Sequence, residues 1–289
     1  MKKNMSVFLK NISNLISSYI EVDSSNDYLR NKIVGWINQR NVIDALVYRE
    51  LKTRVSTARF GLIGVFIEPI GQICIFLILY ALLRGRLSQL DIILFLGTGI
   101  LLFTLFSDIG IRSANAMLAN EALFFYRRVK PIDTVIARTI VESGLYAIVY
   151  ICIIFAAFLI REEIIMQDIS LLISSYIGLV IFSLGLGIVL MVSAHIYPIV
   201  LQLIPLMLRP LYFISGIFIS LNNVPQWLRP YVSWNPIFQA IELSRHAFSS
   251  NYIIDRDEVS LLYLWQCALV SIFIGLWIYS VNERRLLTR

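Results

Sequence analysis

Ionisable side chains set inside long apolar runs are the residues of this chain with most to explain. Asp108 and Arg112 stand four apart in one such run, and Arg138 and Glu142 stand four apart in the next. A charge at the bilayer centre costs roughly 2.5 to 3.5 kcal/mol on insertion scales, so each pair is expected to neutralise itself on one helix face. Arg209 is different, because it lies between Pro205 and Pro210 with no acid near it in sequence. Two roles stay open for it: contact with an anionic group in a polar cavity, or a salt bridge to Asp108 from a neighbouring helix or subunit.

Catalytic chemistry has little to draw on. His195 and His246 are the only histidines, and neither sits in a nucleophile or metal motif. Glu242, Arg245 and His246 share one face of a short predicted helix, where a Glu242 to Arg245 pair is the simplest account. Cys74, Cys152 and Cys267 fall inside apolar runs without metal-ligand spacing, so neither a disulfide framework nor a metal site is expected. No glycine precedes a lysine, so the phosphate-cradling G-x-x-x-x-G-K-[ST] loop is absent and the chain is not expected to hydrolyse ATP.

The elements that must position these residues are membrane helices. The chain is 58% hydrophobic and 15% charged, with mean hydropathy +0.74, against roughly 25% charged residues in soluble domains. Six runs are long and apolar enough to read as spans, at about 62–83, 92–117, 135–160, 171–194, 199–219 and 259–281. The start of the chain lacks the continuous apolar core of a cleavable signal peptide, so insertion is expected to use the first span. Two earlier stretches are amphipathic without being able to cross. The first carries Met5, Phe8, Leu9, Ile12, Leu15, Ile16 and Tyr19 at helical spacing. The second places Val42, Ile43, Leu46, Val47 and Leu51 on one side, with Arg49, Lys52 and Arg54 expected to project towards headgroups.

Cations set the orientation. Lysine and arginine are concentrated before the first run, in the loop after the second (Arg127, Arg128, Lys130, Arg138) and in the tail (Arg284, Arg285, Arg289). Both termini are therefore expected in the cytoplasm. The net charge of +6 belongs to that face, beside anionic lipid, and no nucleic-acid partner is expected. Between the fifth and sixth runs, Pro225, Pro230 and Pro236 are placed to start short helices, with Trp227 and Trp234 suited to headgroup level. The fold expected is an all-α integral membrane protein of six transmembrane helices. It has an N-terminal interfacial amphipathic helix, and periplasmic re-entrant short helices between spans five and six.

Three stretches carry a family resemblance. One is the run from Val42 to Arg54, continued by Gly61-Leu62-Ile63-Gly64-Val65-Phe66-Ile67-Glu68-Pro69. The second is the loop Ala122 to Arg138, and the third is the C-terminal order Ser215-Gly216-Ile217-Phe218, Asn222 to Arg229, Asn235-Pro236-Ile237-Phe238 and Glu242 to His246. In order and spacing they resemble the ABC-2 permease family, most of all its capsule-export branch, over roughly residues 40–285. A transmembrane domain at 41–289 with a cytoplasmic or interfacial extension at 1–40 follows from that resemblance.

The resemblance implies a permease subunit, not itself an enzyme, of an ATP-driven inner-membrane exporter of capsular polysaccharide, carried as a lipid-linked acidic glycan. It implies a homodimer joined to two copies of an ABC ATPase chain, which binds ATP and magnesium, and further periplasmic and outer-membrane partners. It casts Phe124, Phe125, Tyr126, Arg127, Arg128 and Lys130 as the ATPase-coupling loop, and Tyr48, Arg49, Lys52 and Arg54 as part of a gate helix. The first and fifth spans would border the channel. Arg209, Tyr212, Phe213 and Phe218, with Phe66, Tyr80, Arg84 and Arg86, are its candidate lining, since sugars need ring faces and polar edges. An exporter of O-antigen or teichoic acid is the alternative within the class, and a membrane enzyme acting on lipid-linked glycans the alternative outside it.

Overall fold

A backbone that crosses lipid must satisfy its own polar groups, and every regular element described here is a helix. The computed structural model describes residues 27–57, 67, 70–76, 78, 92–124, 129–160, 168–248, 252 and 258–287. Residues 1–45 and 46–289 form two compact units. Helix α1 (Asp27–Thr57) contributes its first part to the former and its last turns to the latter.

In the larger unit, α2 (Ile92–Ala114) is the most enclosed helix. Its Phe95, Ile100, Leu101, Leu102, Leu105 and Ile109 are buried in one core with Tyr146, Leu179, Phe238 and Leu264. Thr98 and Thr104 sit in that core without penalty, because each hydroxyl donates back to the carbonyl four residues earlier, at 2.7 Å. Asn115 and a single turn, α3 (Ala116–Ala119), follow, so the second run ends three residues before the predicted limit.

Pro131 opens α4 (Pro131–Ile160), where a missing N–H costs nothing. Asp168 caps α5 (Ile169–Ile196) by accepting from the Leu171 N–H at 2.9 Å. Hydrogen bonds from the Ser170 hydroxyl and from this N–H hold the Asp168 carboxyl below the usual carboxylate range. Then come α6 (Val200–Ile214), α7 (Arg229–Ser233), α8 (Pro236–His246) and α9 (Leu261–Leu287), the last spanning the sixth predicted run.

Among the described residues, four helices are long and apolar enough to cross a membrane: Ile93–Ala114, Pro131–Leu159, Ile169–Ile196 and Leu261–Leu286. The predicted fifth run is helical over only part of its length. Helix α6 has 15 residues, about 22 Å at 1.5 Å per residue, which is short of a hydrocarbon core of about 30 Å. It stops because Ser215 and Gly216 form a turn in which Gly216 takes φ of 79°. A Cβ there would meet the Phe238 ring at 2.4 Å, so glycine is required twice over. Of the predicted first span, residues 70–76 are helical and most of the rest lies outside the described residues. Asn235 caps α8 by accepting from the Ile237 N–H at 3.0 Å, as Pro236 leads one to expect, and α7 carries Pro230 in its first turn. Pro225 begins only a turn.

Small residues let α5 approach its neighbours. A Cβ on Gly185 would lie 2.4 Å from the Ser271 backbone of α9, and one on Gly275 would lie 2.7 Å from the Gly185 carbonyl. Packing of this kind is what associates helices in lipid, where hydrophobic burial gives no drive. Gly185→Ala is therefore expected to lower stability by about 1 to 3 kcal/mol through overpacking. Gly144→Ala, where a Cβ meets nothing within 4 Å, should be neutral or slightly stabilising. Thermal unfolding of the two variants in detergent makes the comparison, and equal melting would refute the close-packed seam.

Candidate functional site

Three side-chain groups stand out, and the first is a cluster of charges between α1, α2 and α4. Glu142, fully buried on α4, is gripped from two other helices: Arg112 Nε lies 2.8 Å from its Oε1, and the Arg54 guanidinium pairs with the same oxygen. Arg138 faces Glu50 of α1 at 3.7 Å and donates to the Arg112 carbonyl. Arg49 donates to Asn120 Oδ1, and Asp108 accepts from Tyr146 Oη at 2.8 Å.

Two expectations are corrected. The predicted pairs within one helix are replaced by pairs between helices. A fully buried carboxylate needs close compensation, and two guanidiniums from facing helices converge on Glu142 Oε1, while Oε2 stays buried without a partner among the described residues. Arg49 and Arg54 do not project outward either. Both are half-buried, Arg49 turning to Asn120 and Arg54 to Glu142 of α4, while Tyr48 and Lys52 remain exposed. Burial first, and Arg112 second, push the Arg54 guanidinium down to about 10, which leaves it charged at neutral pH.

The second group is a ladder of rings. Phe218 lies 4.6 Å from Phe76, 5.6 Å from Tyr212 and 5.9 Å from Phe213, measured between centroids. Tyr212 meets Phe103 edge-on at 5.0 Å, and Phe106 stacks on Phe182 at 6.0 Å, carrying the ladder into α2 and α5. The predicted Tyr212, Phe213 and Phe218 are thus brought together. Phe213 is exposed, and so is Arg209, one turn earlier on α6. Phe66, Tyr80, Arg84 and Arg86 lie outside the described residues.

The third group is centred on Arg245 of α8, which is wholly buried. Its guanidinium donates to Glu242 at 2.8 Å, to the Gly216 carbonyl at 2.8 Å, and to the carbonyls of Ile217 and Phe95 at 2.9 Å. Its Cζ sits 3.5 Å above the Phe95 ring. Tyr252 donates to Glu242, with oxygen separations of 2.8 and 2.9 Å, and lies 2.6 Å from Ser220 Oγ. Burial, with Glu242 adding to it, raises the Tyr252 phenol well above its ordinary value. The expected Glu242 to Arg245 pair is present, while His246 turns its Nδ1 to the Tyr252 carbonyl at 2.7 Å.

Of the predicted coupling loop, Phe124 is half-buried beside Met117 and Ile132, and Lys130 lies 3.9 Å from Glu283. Phe125, Tyr126, Arg127 and Arg128 fall outside the described residues. No group of three or more His, Cys, Asp or Glu side chains among the described residues could hold a metal. Sequence reasoning missed Glu50, Asn120 and Tyr146 in the charge cluster, Phe95 and Tyr252 around Arg245, and Phe103 in the ladder. Their partners lie tens of residues away, beyond any local spacing rule, except for Tyr252 beside α8.

All three groups are contributed wholly or largely by residues 46–248. The family model for the ABC-2 type transporter matches residues 41–249, more than half of the chain. This chain belongs to the ABC-2 type transporter family. The polysialic acid transport protein KpsM of Escherichia coli is 36% identical over 255 residues, which cover 88% of this chain and 98% of that protein. The capsule polysaccharide export inner-membrane protein CtrC of Neisseria meningitidis is 28% identical over 242 residues, 82% and 89% of the two chains. BexB of Haemophilus influenzae, which bears the same description, is 24% identical over 235 residues, 80% and 88% of the two chains. An ABC-2 membrane protein with four described spanning helices is a multi-pass membrane protein.

In this ABC-2 chain the charge cluster joins α1 to two spanning helices. Removing one partner of a buried pair costs about 3 to 5 kcal/mol, because the other charge is stranded. Glu142→Gln is expected to destabilise by that order, and Arg112→Gln in the Glu142→Gln background should add far less than it does alone. A double-mutant cycle of unfolding in detergent reads this coupling, and simple additivity would break up the cluster.

Proposed function

We propose that this chain is the membrane permease subunit of an ATP-driven exporter that carries capsular polysaccharide, as a lipid-linked acidic glycan, across the inner membrane. The observation that carries the reading is the near end-to-end match to the polysialic acid transport protein, 98% of whose length aligns. The exposed Phe213 and Arg209 of α6 support it physically: a ring face suits the apolar side of a sugar, and a guanidinium suits its acidic groups.

In this reading the chain crosses six times. The first crossing uses the run at 62–83, and the fifth is completed by α6 with the non-helical residues that follow. Segments α7 and α8 re-enter from the periplasmic side, and both termini are cytoplasmic. Residues 41–289 are the transport domain and 1–40 an extension to it. Two copies of the chain enclose the path, with Arg209, Tyr212, Phe213, Phe218, Phe66 and Tyr80 along it and Arg84 and Arg86 at its exit.

Energy comes from a separate ABC ATPase, two copies of it, which holds ATP and magnesium. Phe124, Phe125 and Tyr126 anchor in the ATPase, with Arg127, Arg128 and Lys130 on the polar rim around them. Movement there reaches α1, where Tyr48, Arg49, Lys52 and Arg54 form the gate. The charge cluster gives that transfer a physical route, because Arg54 and Arg112 close on one carboxylate. Glycan leaving the membrane passes to periplasmic and outer-membrane export proteins.

The test is the ATPase rate of the reconstituted complex with its ATPase, with and without capsular glycolipid, for wild type and Arg209→Ala. Glycolipid is expected to stimulate wild type several-fold and the variant little. Stimulation by O-antigen lipid instead would move the chain to that neighbouring class, and failure of any ATPase to co-purify would overturn the transporter reading.

A further inference from the structure

A cleft of about 370 Å³ opens where α7, α8 and the start of α9 meet, away from the ring ladder and the charge cluster. Its volume is at the lower end of the range of about 300 to 1,000 Å³ found for small-molecule sites. Gln239 of α8 builds the wall. Its amide donates to the Ser233 carbonyl at 2.6 Å and to the Glu258 carbonyl at 2.8 Å, and its oxygen accepts from the Ser260 N–H at 2.9 Å. Tyr263 of α9 donates to the Trp234 carbonyl at 2.9 Å. Both rims are thereby fixed, so the opening between them is built into the fold.

The lining has two chemical faces. Trp234, 78% exposed, and Tyr263 present aromatic surface. Glu258 lines the same cleft, and its Oε2 is buried with no hydrogen-bond partner among the described residues. A carboxylate short of donors at the wall of a cleft favours a ligand that brings hydroxyl groups to it. No lysine or arginine is among the described residues that line the cleft.

We propose that this cleft is a saccharide-binding site, holding the hydroxyl-bearing, uncharged face of a sugar ring between Trp234 and Glu258. An aromatic plane beside a hydroxyl acceptor matches a pyranose, whose C–H face is apolar and whose edge donates hydrogen bonds. An ammonium group would satisfy Glu258 too, but it would fill only a small part of the volume and leave the aromatic surface idle. The export reading explains why a sugar would reach this part of the molecule; the chemistry of the cleft stands without it. The site is separate from the Arg209 path, and its preference is opposite, since Arg209 suits acidic groups and Glu258 repels them.

The experiment uses the full chain in nanodiscs and saturation-transfer NMR with three probes: maltotriose, a sialic acid trimer and ethanolamine. Maltotriose is expected to bind saturably and more tightly than the acidic trimer. Its affinity should fall about tenfold in Trp234→Ala and in Glu258→Gln, the size expected from losing a stacking contact or a charge-assisted hydrogen bond. Glu258→Gln should also narrow the gap between the neutral and acidic probes, which a merely structural loss would not do. The proposal is overturned by the absence of saturable maltotriose binding, by binding unchanged in both variants, by equal binding of the acidic trimer, or by saturable binding of ethanolamine alone. Glycolipid stimulation of the ATPase is measured on the same preparations. Stimulation without maltotriose binding would sink the cleft and spare the exporter, and the reverse result would do the opposite.

Discussion

Backbone that leaves helical geometry within a membrane domain must still place its carbonyls, and one guanidinium does this for the turn after α6. Gly216 and Ile217 lie where no helix supplies N–H donors to them, and Arg245 donates to both. Around that hub the neighbours are fixed. Gly99 must lack a side chain, since a Cβ would sit 2.9 Å from Arg245 Nη2 and 3.0 Å from the Ile217 Cα. Gly216 must take a positive φ, and Glu242 must be buried to balance the charge. Tyr252 then donates to Glu242, which draws the chain beyond α8 back onto it. A buried ion pair is seldom a gain in stability over an apolar replacement. Its use here is to hold an irregular turn beside α2, which no apolar side chain could do.

The charge cluster solves a different problem with the same chemistry. Helix α1 is too polar to be held by apolar burial alone, and only Leu46 of its described side chains is fully buried. Ion pairs from Arg54 and Glu50, together with the Arg49 hydrogen bond, fasten its last turns to α4 and the Asn120 turn. Directional bonds of this kind hold one geometry and release it when displaced, whereas an apolar face can slide.

The sequence made part of this legible. Hydropathy alone locates α2, α4, α5 and α9, with ends off by at most six residues, because lipid imposes one length and one composition. The caps at Asp168 and at Asn235-Pro236 are also local, and so is the Glu242 to Arg245 pair. The ion pairs of the spans were misread because spacing of four is only one way for charges to meet. Arg54 and Glu142 are 88 residues apart, and nothing between them announces the encounter. The length of α6 was overestimated because residues 215–219 are mostly apolar, so a hydropathy window runs across a turn that Gly216 enforces. Ring residues were recognisable as types, but that Phe218 folds back on Tyr212 and Phe76 depends on that same turn. Function was reached through resemblance, which the match to known permeases bears out, and not through any catalytic constellation.

Helix α6 supplies the last step. Pro205 and Pro210 have no N–H, so the carbonyls of Leu201 and Leu206 lose their usual helical donors. Arg209 lies beside Pro210 on an exposed flank together with Leu206, Met207 and Phe213. A guanidinium and carbonyls short of donors do not belong against hydrocarbon, where each would cost several kcal/mol. Apolar neighbours on the same flank do not belong against bulk water. The surroundings that satisfy both are a second protein surface and a polar path beside it. That is the physical ground for placing the proposed glycan route along α6, with its apolar residues against another copy of the chain and Arg209 on the path.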